Sequence, residues 1–122
     1  MTERLPAAAL LDLVCEPGSF VSWDAPIPAR GWEPAYAAEL AAARERSRAD
    51  ESVLTGEGRV GGHRVALVVS EFAFLGGSIG RDAAERLMTA IERATAERLP
   101  LLAGPASGGT RIQEGTPAFL AM

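Results

Sequence analysis

The segment His63-Arg64-Val65-Ala66-Leu67-Val68-Val69-Ser70-Glu71-Phe72-Ala73-Phe74-Leu75-Gly76-Gly77-Ser78-Ile79-Gly80 carries two signals in succession. Val65 to Val69 is apolar without interruption and rich in β-branched residues. Such a run reads as a strand buried on both faces, which favours a layered α/β arrangement over a sheet open to water. Phe72 to Gly80 then reads as a glycine-rich loop. Upstream, Gly61-Gly62 joins this strand to a second apolar run, Ser52 to Val60, and a two-residue glycine link between two such runs predicts a β-hairpin. Gly56 and Gly58 inside the first arm predict a bulge or a close backbone approach.

Downstream, residues 81–98 predict a helix with Ala84, Leu87, Met88, Ile91, Ala94 and Thr95 as its apolar stripe. Leu99-Pro100 closes it, and Leu101-Leu102-Ala103 reads as a short buried strand. A second glycine loop follows over Pro105 to Gly115, and Pro117 to Met122 resembles the first turns of another helix. Strand, crossover helix and strand make a βαβ unit, expected to be right-handed. In such folds ligands gather beyond the carboxyl ends of strands, where both glycine loops lie.

The N-terminal part reads differently. Leu5 to Val14 predicts a helix with Leu10, Leu11 and Val14 on one side, stopped at Glu16-Pro17-Gly18. Ser19 to Pro34, with Pro26, Pro28 and both tryptophans, predicts an extended arm along the surface. Ala35 to Arg48 predicts an amphipathic helix burying Tyr36, Leu40 and Ala43, with Arg44, Arg46 and Arg48 turned mostly to solvent. The expected division is therefore residues 1–50 as a helical and extended arm and residues 51–122 as the incomplete first part of the main domain.

The chain has 122 residues, enough for one small domain. Its net charge of −4 and pI near 5.0 argue against a nucleic-acid partner, which requires a clustered basic face. The arginines mostly have acidic neighbours and read as solvated helix faces. Cys15 is the only cysteine. It can form neither an internal disulfide nor a paired-cysteine zinc site, and with no His or Lys nearby it reads as a small buried hydrophobe in a reducing compartment. Glu3 and Asp12 interrupt any signal-peptide pattern, and no run is long enough for a membrane span. The expectation is a soluble cytoplasmic chain with no nucleic-acid or membrane partner and no metal.

Adjacent glycines before a helix let backbone amides converge without intervening side chains. Helped by the helix N-terminus, they can hold a phosphate or a developing oxyanion. On residue types alone such loops are more often plain turns or caps. Neither loop has the Walker A pattern or the GxGxxG fingerprint. His63 is the only histidine and sits beside the hairpin turn, so no Ser–His–acid arrangement can be built.

The exact strings are more specific. Ser107-Gly108-Gly109-Thr110-Arg111-Ile112-Gln113-Glu114-Gly115 resembles the Ser-Gly-Gly-Ala-Arg-Met/Ile-Gln-Glu-Gly signature of biotin-dependent acyl-CoA carboxyltransferases. Glu51-Ser52-Val53-Leu54-Thr55-Gly56-Glu57-Gly58 resembles the hairpin arm of that family. Phe72 to Gly80 is similar to its Asp-Phe-x-Phe-Met-Gly-Gly-Ser-Met-Gly loop, with Glu71 in place of aspartate. Glu92 to Leu101 resembles its helix-to-strand segment, and Leu11-Asp12 with Gly18-Ser19-Phe20 its start. The resemblance runs from about Leu10 to Met122, and the acetyl-CoA carboxylase β type in an actinobacterial-style version is the nearest likeness.

That resemblance implies a partial crotonase-like spiral fold, α/β in class, with the N-terminal helical arm in front of it. It implies transfer of a carboxyl group from carboxybiotin to an acyl-CoA of the acetyl-CoA or propionyl-CoA class, as in fatty acid biosynthesis. Gly108 and Gly109 are the expected catalytic positions. Gly76, Gly77, Ser78, Ser107 and Arg111 are the expected substrate-binding set; for Arg111 a contact to a CoA phosphate competes with anchoring the loop through Glu114. The implied substrate is an acyl-CoA, and the implied cofactor is biotin carried on a partner. The implied partners are a complementary carboxyltransferase chain and a biotin carboxylase or biotin carboxyl carrier subunit, in an oligomer.

Two departures qualify this. No four-cysteine zinc ribbon is present, and the family continues far past Met122, so the chain is expected to need a complement. Leu101-Leu102, Phe119-Leu120 and the long helix's stripe are expected to be left uncovered. Two other readings compete: a non-catalytic CoA-binding or assembly module, and a malonyl-type decarboxylase component.

Overall fold

The structure, a computed structural model, describes residues 5–105, 109 and 111–114. At its centre is the expected hairpin. β2 (Val53–Val60) and β3 (His63–Ser70) pair antiparallel in unbroken register from Val53 opposite Ser70 to Val60 opposite His63. The link is Gly61 (φ 58°) and Gly62 (φ 78°), a two-residue turn with both positions in the left-handed region that glycine enters without steric cost. On the far side of β3 lies β4 (Leu101–Gly104), parallel to it, with Ala66 opposite Leu101 and Val69 opposite Gly104. β1 (Val21–Ser22) adds antiparallel to β2, so the extended arm contributes an edge strand and the sheet order is β1-β2-β3-β4.

β3 is an inner strand, and Val65 to Val69 are all buried, as their composition predicts. Side chains alternate across it. Val65, Leu67 and Val69 pack with Ala7, Leu11 and Cys15 beneath α1 (Ala7–Val14). Val68 faces α3 (Arg81–Ala96) among Val53, Ile79, Ala83, Ala84 and Ala90. Gly58 is required where α1 ends: a Cβ there would lie 2.6 Å from Cys15 Sγ and 3.2 Å from Leu67 Cδ1. The glycines of β2 thus serve a close approach, and no bulge interrupts the ladder. Cys15 is buried as expected, and burial, with Asp12 nearby, pushes its thiol pKa up.

α2 (Pro34–Ser47) begins with Pro34 in the first turn and Glu33 accepting from the Ala35 amide at 3.3 Å; it ends with Arg48 left-handed at φ 61°. It buries Tyr36, Leu40 and Ala43 against Phe74, the face its periodicity indicates.

Three expectations change. α3 does not present its whole apolar stripe to the sheet. Ala83, Arg86, Ala90 and Ala94 face inward, while Met88 and Ile91 are half exposed. Small alanines let the helix come close to the sheet, and that rotation also carries Arg86 into an ion pair with Asp50 at 2.7 Å. Second, the strand at Leu101-Leu102 is not buried but an edge, with both residues about 40% exposed and uncovered as expected of this pair, because among the described residues no strand pairs with its outer side. Third, not every arginine is a solvated surface residue. Arg86 and Arg111 are buried and bonded to carboxylates and carbonyls brought from distant parts of the chain. Phe119-Leu120 lies outside the described residues.

Candidate active site

Both glycine loops leave the carboxyl ends of parallel strands, the first after β3 and the second after β4. The first begins at Glu71, whose buried carboxylate accepts from the Ala7 amide at 3.1 Å and the Ala73 amide at 3.2 Å. A 3₁₀ turn over Leu75–Gly77 follows, with Leu75, Gly76 and Gly77 at φ 47°, 64° and 70°. Three successive left-handed residues explain why two of them are glycine.

The turn spends two of the amides expected to face a ligand. Gly77 N–H donates to Phe74 O at 2.9 Å and Ser78 N–H to Leu75 O at 3.2 Å. The Gly76 amide, half-buried, has no acceptor among the described residues. Ser78 faces the protein: its carbonyl accepts from Ser52 Oγ and Arg111 Nη2, both at 2.7 Å, and its hydroxyl accepts from Arg111 Nε at 3.2 Å.

The second loop lies against the first. Ile79 N–H donates to Gly109 O at 2.8 Å, and Arg111 N–H donates back to Ile79 O at 2.9 Å. This two-way exchange holds Gly109 (φ 101°) beside the Gly76–Ser78 turn.

Beneath both loops is a buried polar cluster. Arg111, 1% exposed, forms a two-point pair with Glu51 at 2.5 and 3.1 Å, and its Nη1 also reaches Glu114 Oε2 at 3.2 Å. The Phe74 ring lies 5.4 Å below the guanidinium. Burial would lower the Arg111 pKa, but Glu51 more than offsets it, so the charge is held firmly. Tyr36 on α2 donates to Glu114 Oε2 at 2.5 Å and accepts from Arg111 Nη1 at 3.3 Å. Burial first, and then the hydrogen bond to Glu114, push its phenol pKa well above the usual 10.0.

Glu114 Oε1 accepts from the Arg81 amide at 2.6 Å. The first amide of α3 is therefore taken by a side chain of the second loop. Gly80 permits this: a Cβ there would lie 2.7 Å from Arg111 Nη1 and collide with Glu114.

Of the expected site residues, Gly76, Gly77, Ser78, Gly109 and Arg111 are brought together; Ser107 and Gly108 lie outside the described residues. Arg111 lies with these residues, and all three of its side-chain nitrogens are occupied by protein acceptors. Of its two readings, the loop anchor is the one observed. Tyr36, Glu51, Ser52 and Gly80 were not singled out as site residues. For Glu51 a signal existed, since a charged residue directly before a buried strand needs a partner. His63 is exposed in the hairpin, away from both loops. Among the described residues, no cluster of His, Cys, Asp or Glu could hold a metal, and no helix is long and apolar enough to cross a membrane.

Comparison with known proteins agrees with this geometry. Residues 4–122 match the carboxyl transferase domain. A probable biotin-dependent acyl-coenzyme A carboxylase beta3 subunit of Mycobacterium tuberculosis is 63% identical over 119 residues, covering 98% of this chain and 24% of that protein. The acetyl-coenzyme A carboxylase carboxyl transferase subunit beta of Rubrobacter xylanophilus is 40% identical over 121 residues, covering 97% of this chain and 47% of that protein. Among solved structures, transcarboxylase 12S with methylmalonyl-coenzyme A bound superposes with a TM-score of 0.79 at 24% identity, over 97% of this chain and 21% of that one. That likeness establishes the crotonase-type fold, here partial. The chain spans about a quarter of the mycobacterial relative and less than half of the Rubrobacter one.

Proposed function

The chain belongs to the carboxyl transferase domain family, and on that premise we propose that it supplies two glycine loops to a site moving a carboxyl group from carboxybiotin to an acyl-CoA. The site is completed by further polypeptide, since the chain spans about a quarter of the mycobacterial carboxylase β subunit. The observation that carries the reading is the two-way hydrogen-bond exchange at Ile79, which lays the two loops side by side beyond the strand ends.

The chemistry fits backbone donors better than side chains. Carboxybiotin, when bound, would supply the carboxyl group, and its transfer to the α-carbon of an acyl-CoA would place negative charge on the thioester oxygen and on the ureido oxygen. Pre-set N–H groups stabilise such charge without reorganising, each worth about 3 kcal/mol. We assign the Gly76 amide to one of these oxygens and the Gly108-Gly109 segment to the reacting centre. Gly77, Ser78 and Arg111 then act by holding the loops, and Ser107 borders the substrate. No ionisable side chain of the cluster is spare to act as a base.

The proposed substrates are acetyl-CoA or propionyl-CoA. The proposed setting is a cytoplasmic oligomer with a biotin carboxylase or biotin carboxyl carrier subunit, serving fatty acid biosynthesis. The test is co-purification of the tagged chain from its native cells, followed by a biotin-dependent decarboxylation assay with malonyl-CoA or methylmalonyl-CoA. Recovery of a stoichiometric carboxyltransferase polypeptide and biotin-dependent turnover are expected. A chain recovered alone and inert would sink the catalytic reading and leave an assembly module. Turnover that ignores biotin would point to a decarboxylase.

A further inference from the structure

We propose that Tyr36 and Glu114 are positioning residues that set the register of the two glycine loops through one shared carboxylate. Glu114 is a second-loop residue, yet both its oxygens bond outside that loop. Oε1 holds the Arg81 amide, where the first loop becomes α3, and Oε2 holds the hydroxyl of Tyr36 on α2. The Arg111 guanidinium also meets Oε2, from within the second loop. One carboxylate therefore fixes three elements relative to each other: the arm helix, the end of the first loop and the second loop.

The geometry leaves little freedom for substitutes. Gly80 allows no Cβ between α3 and the Arg111–Glu114 pair. Glu114 is 8% exposed and Tyr36 is 4% exposed, so water cannot easily replace either partner. The loop-to-loop bonds are made by Ile79, two residues before Arg81, with Gly109 and with Arg111 itself, so their register depends on where Arg111 and Arg81 are held. A backbone donor of an oxyanion site acts only at its set position, and a displacement of about 1 Å costs about a hundredfold in rate. What the loops do rests on the function proposed above; how they are held does not.

The experiment compares wild type, Tyr36→Phe, Glu114→Gln and Gly80→Ala, each co-expressed with the polypeptide that completes the domain. Tyr36→Phe removes the hydroxyl alone. Glu114→Gln keeps the shape but sets an amide N–H₂ either against the Arg81 N–H or against the Tyr36 and Arg111 donors. Gly80→Ala disturbs the same contact from the opposite side without deleting a polar group. Amide hydrogen exchange is read at Ile79 and Arg111 and, as an internal reference, at Val65 to Val69 of β3. Steady-state kinetics of biotin-dependent decarboxylation are measured in parallel.

Exchange at Ile79 and Arg111 should rise about tenfold with β3 unchanged, while kcat falls about tenfold to a hundredfold and KM stays within about threefold. Exchange rising equally in β3 would mean a merely structural role and would overturn the proposal. Unchanged exchange at Ile79 with wild-type kcat would do the same. If the wild-type complex shows no biotin-dependent turnover, the proposed function fails, and the exchange pattern alone decides this inference.

Discussion

Arg111 and Glu51, sixty positions apart, meet as a two-point ion pair, Nη2 at 2.5 Å from Oε1 and Nη1 at 3.1 Å from Oε2, with both side chains at 2% exposure or less. The pair joins the second glycine loop to the bend just before β2. Planar guanidinium and carboxylate match in this geometry, which an ammonium group cannot reproduce.

Removing one partner of such a pair leaves the other charged and buried. Arg111→Ala should therefore destabilise the protein by about 3–5 kcal/mol, since Glu51 and Glu114 both lose their cation. Arg111→Lys retains the charge but not the fork, and should fall between wild type and Arg111→Ala. Urea unfolding midpoints of the three proteins check the order; a lysine variant as stable as wild type would refute the role given to the fork.

Tyr36 is the only tyrosine of the chain, so its ionisation can be read directly from phenolate absorbance. Its folded-state pKa is raised above the usual 10.0 by burial and by Glu114. The neutral phenol is thus favoured in the folded protein. This contribution is fully present below pH 10.0 and is lost as pH rises through the folded value. Phenolate should not appear at pH 10.0 while the fold persists, and should appear together with alkaline unfolding. A normal titration in folded protein would contradict the buried hydrogen bond.

Gly58→Ala places a Cβ against Cys15 Sγ. Overpacking of this kind should cost about 1–3 kcal/mol. The double variant Gly58→Ala, Cys15→Ala removes the sulfur and should recover part of the loss, a coupling of about 0.5–3 kcal/mol in a double-mutant cycle. Additive losses in that cycle would mean that the two residues do not touch.

Glu57 faces Arg64, with Trp23 Nε1 at 3.3 Å and Arg93 Nη2 at 3.7 Å. The hydrogen bond from Arg64, against a smaller opposing effect of burial, lowers its carboxyl pKa from 4.5 to about 2. A depressed carboxyl pKa stabilises the fold above pH 4.5, and that contribution disappears as pH falls toward about 2. Glu57→Gln should flatten the acid limb of stability across this window. The difference should shrink with added salt, because the Arg64 side of the pair is solvent-exposed. Identical acid limbs at low salt would argue against the pair.

Local pattern and local chemistry determined much of this protein. The hairpin was legible because only glycine takes the left-handed turn at positions 61 and 62 at no steric cost, and the central strand because five successive apolar residues suit a site buried on both faces. The burying face of α2 and the two loops followed from periodicity and from glycine pairs. The 107–115 string marks the family by itself, because that resemblance depends on residue order alone.

Tertiary structure decided the rest. The packing face of α3 depended on how closely alanines let it approach the sheet and on where Asp50 waited for Arg86. The use of the Gly77 and Ser78 amides depended on the turn closing on itself. The cluster of Tyr36, Glu51, Arg111 and Glu114 spans 78 positions, and no local pattern marks which carboxylate a buried guanidinium will meet. Pairing of buried charges is settled only when distant segments share one dry volume, where an unmet charge is too costly to leave and a met one fixes the backbone around it.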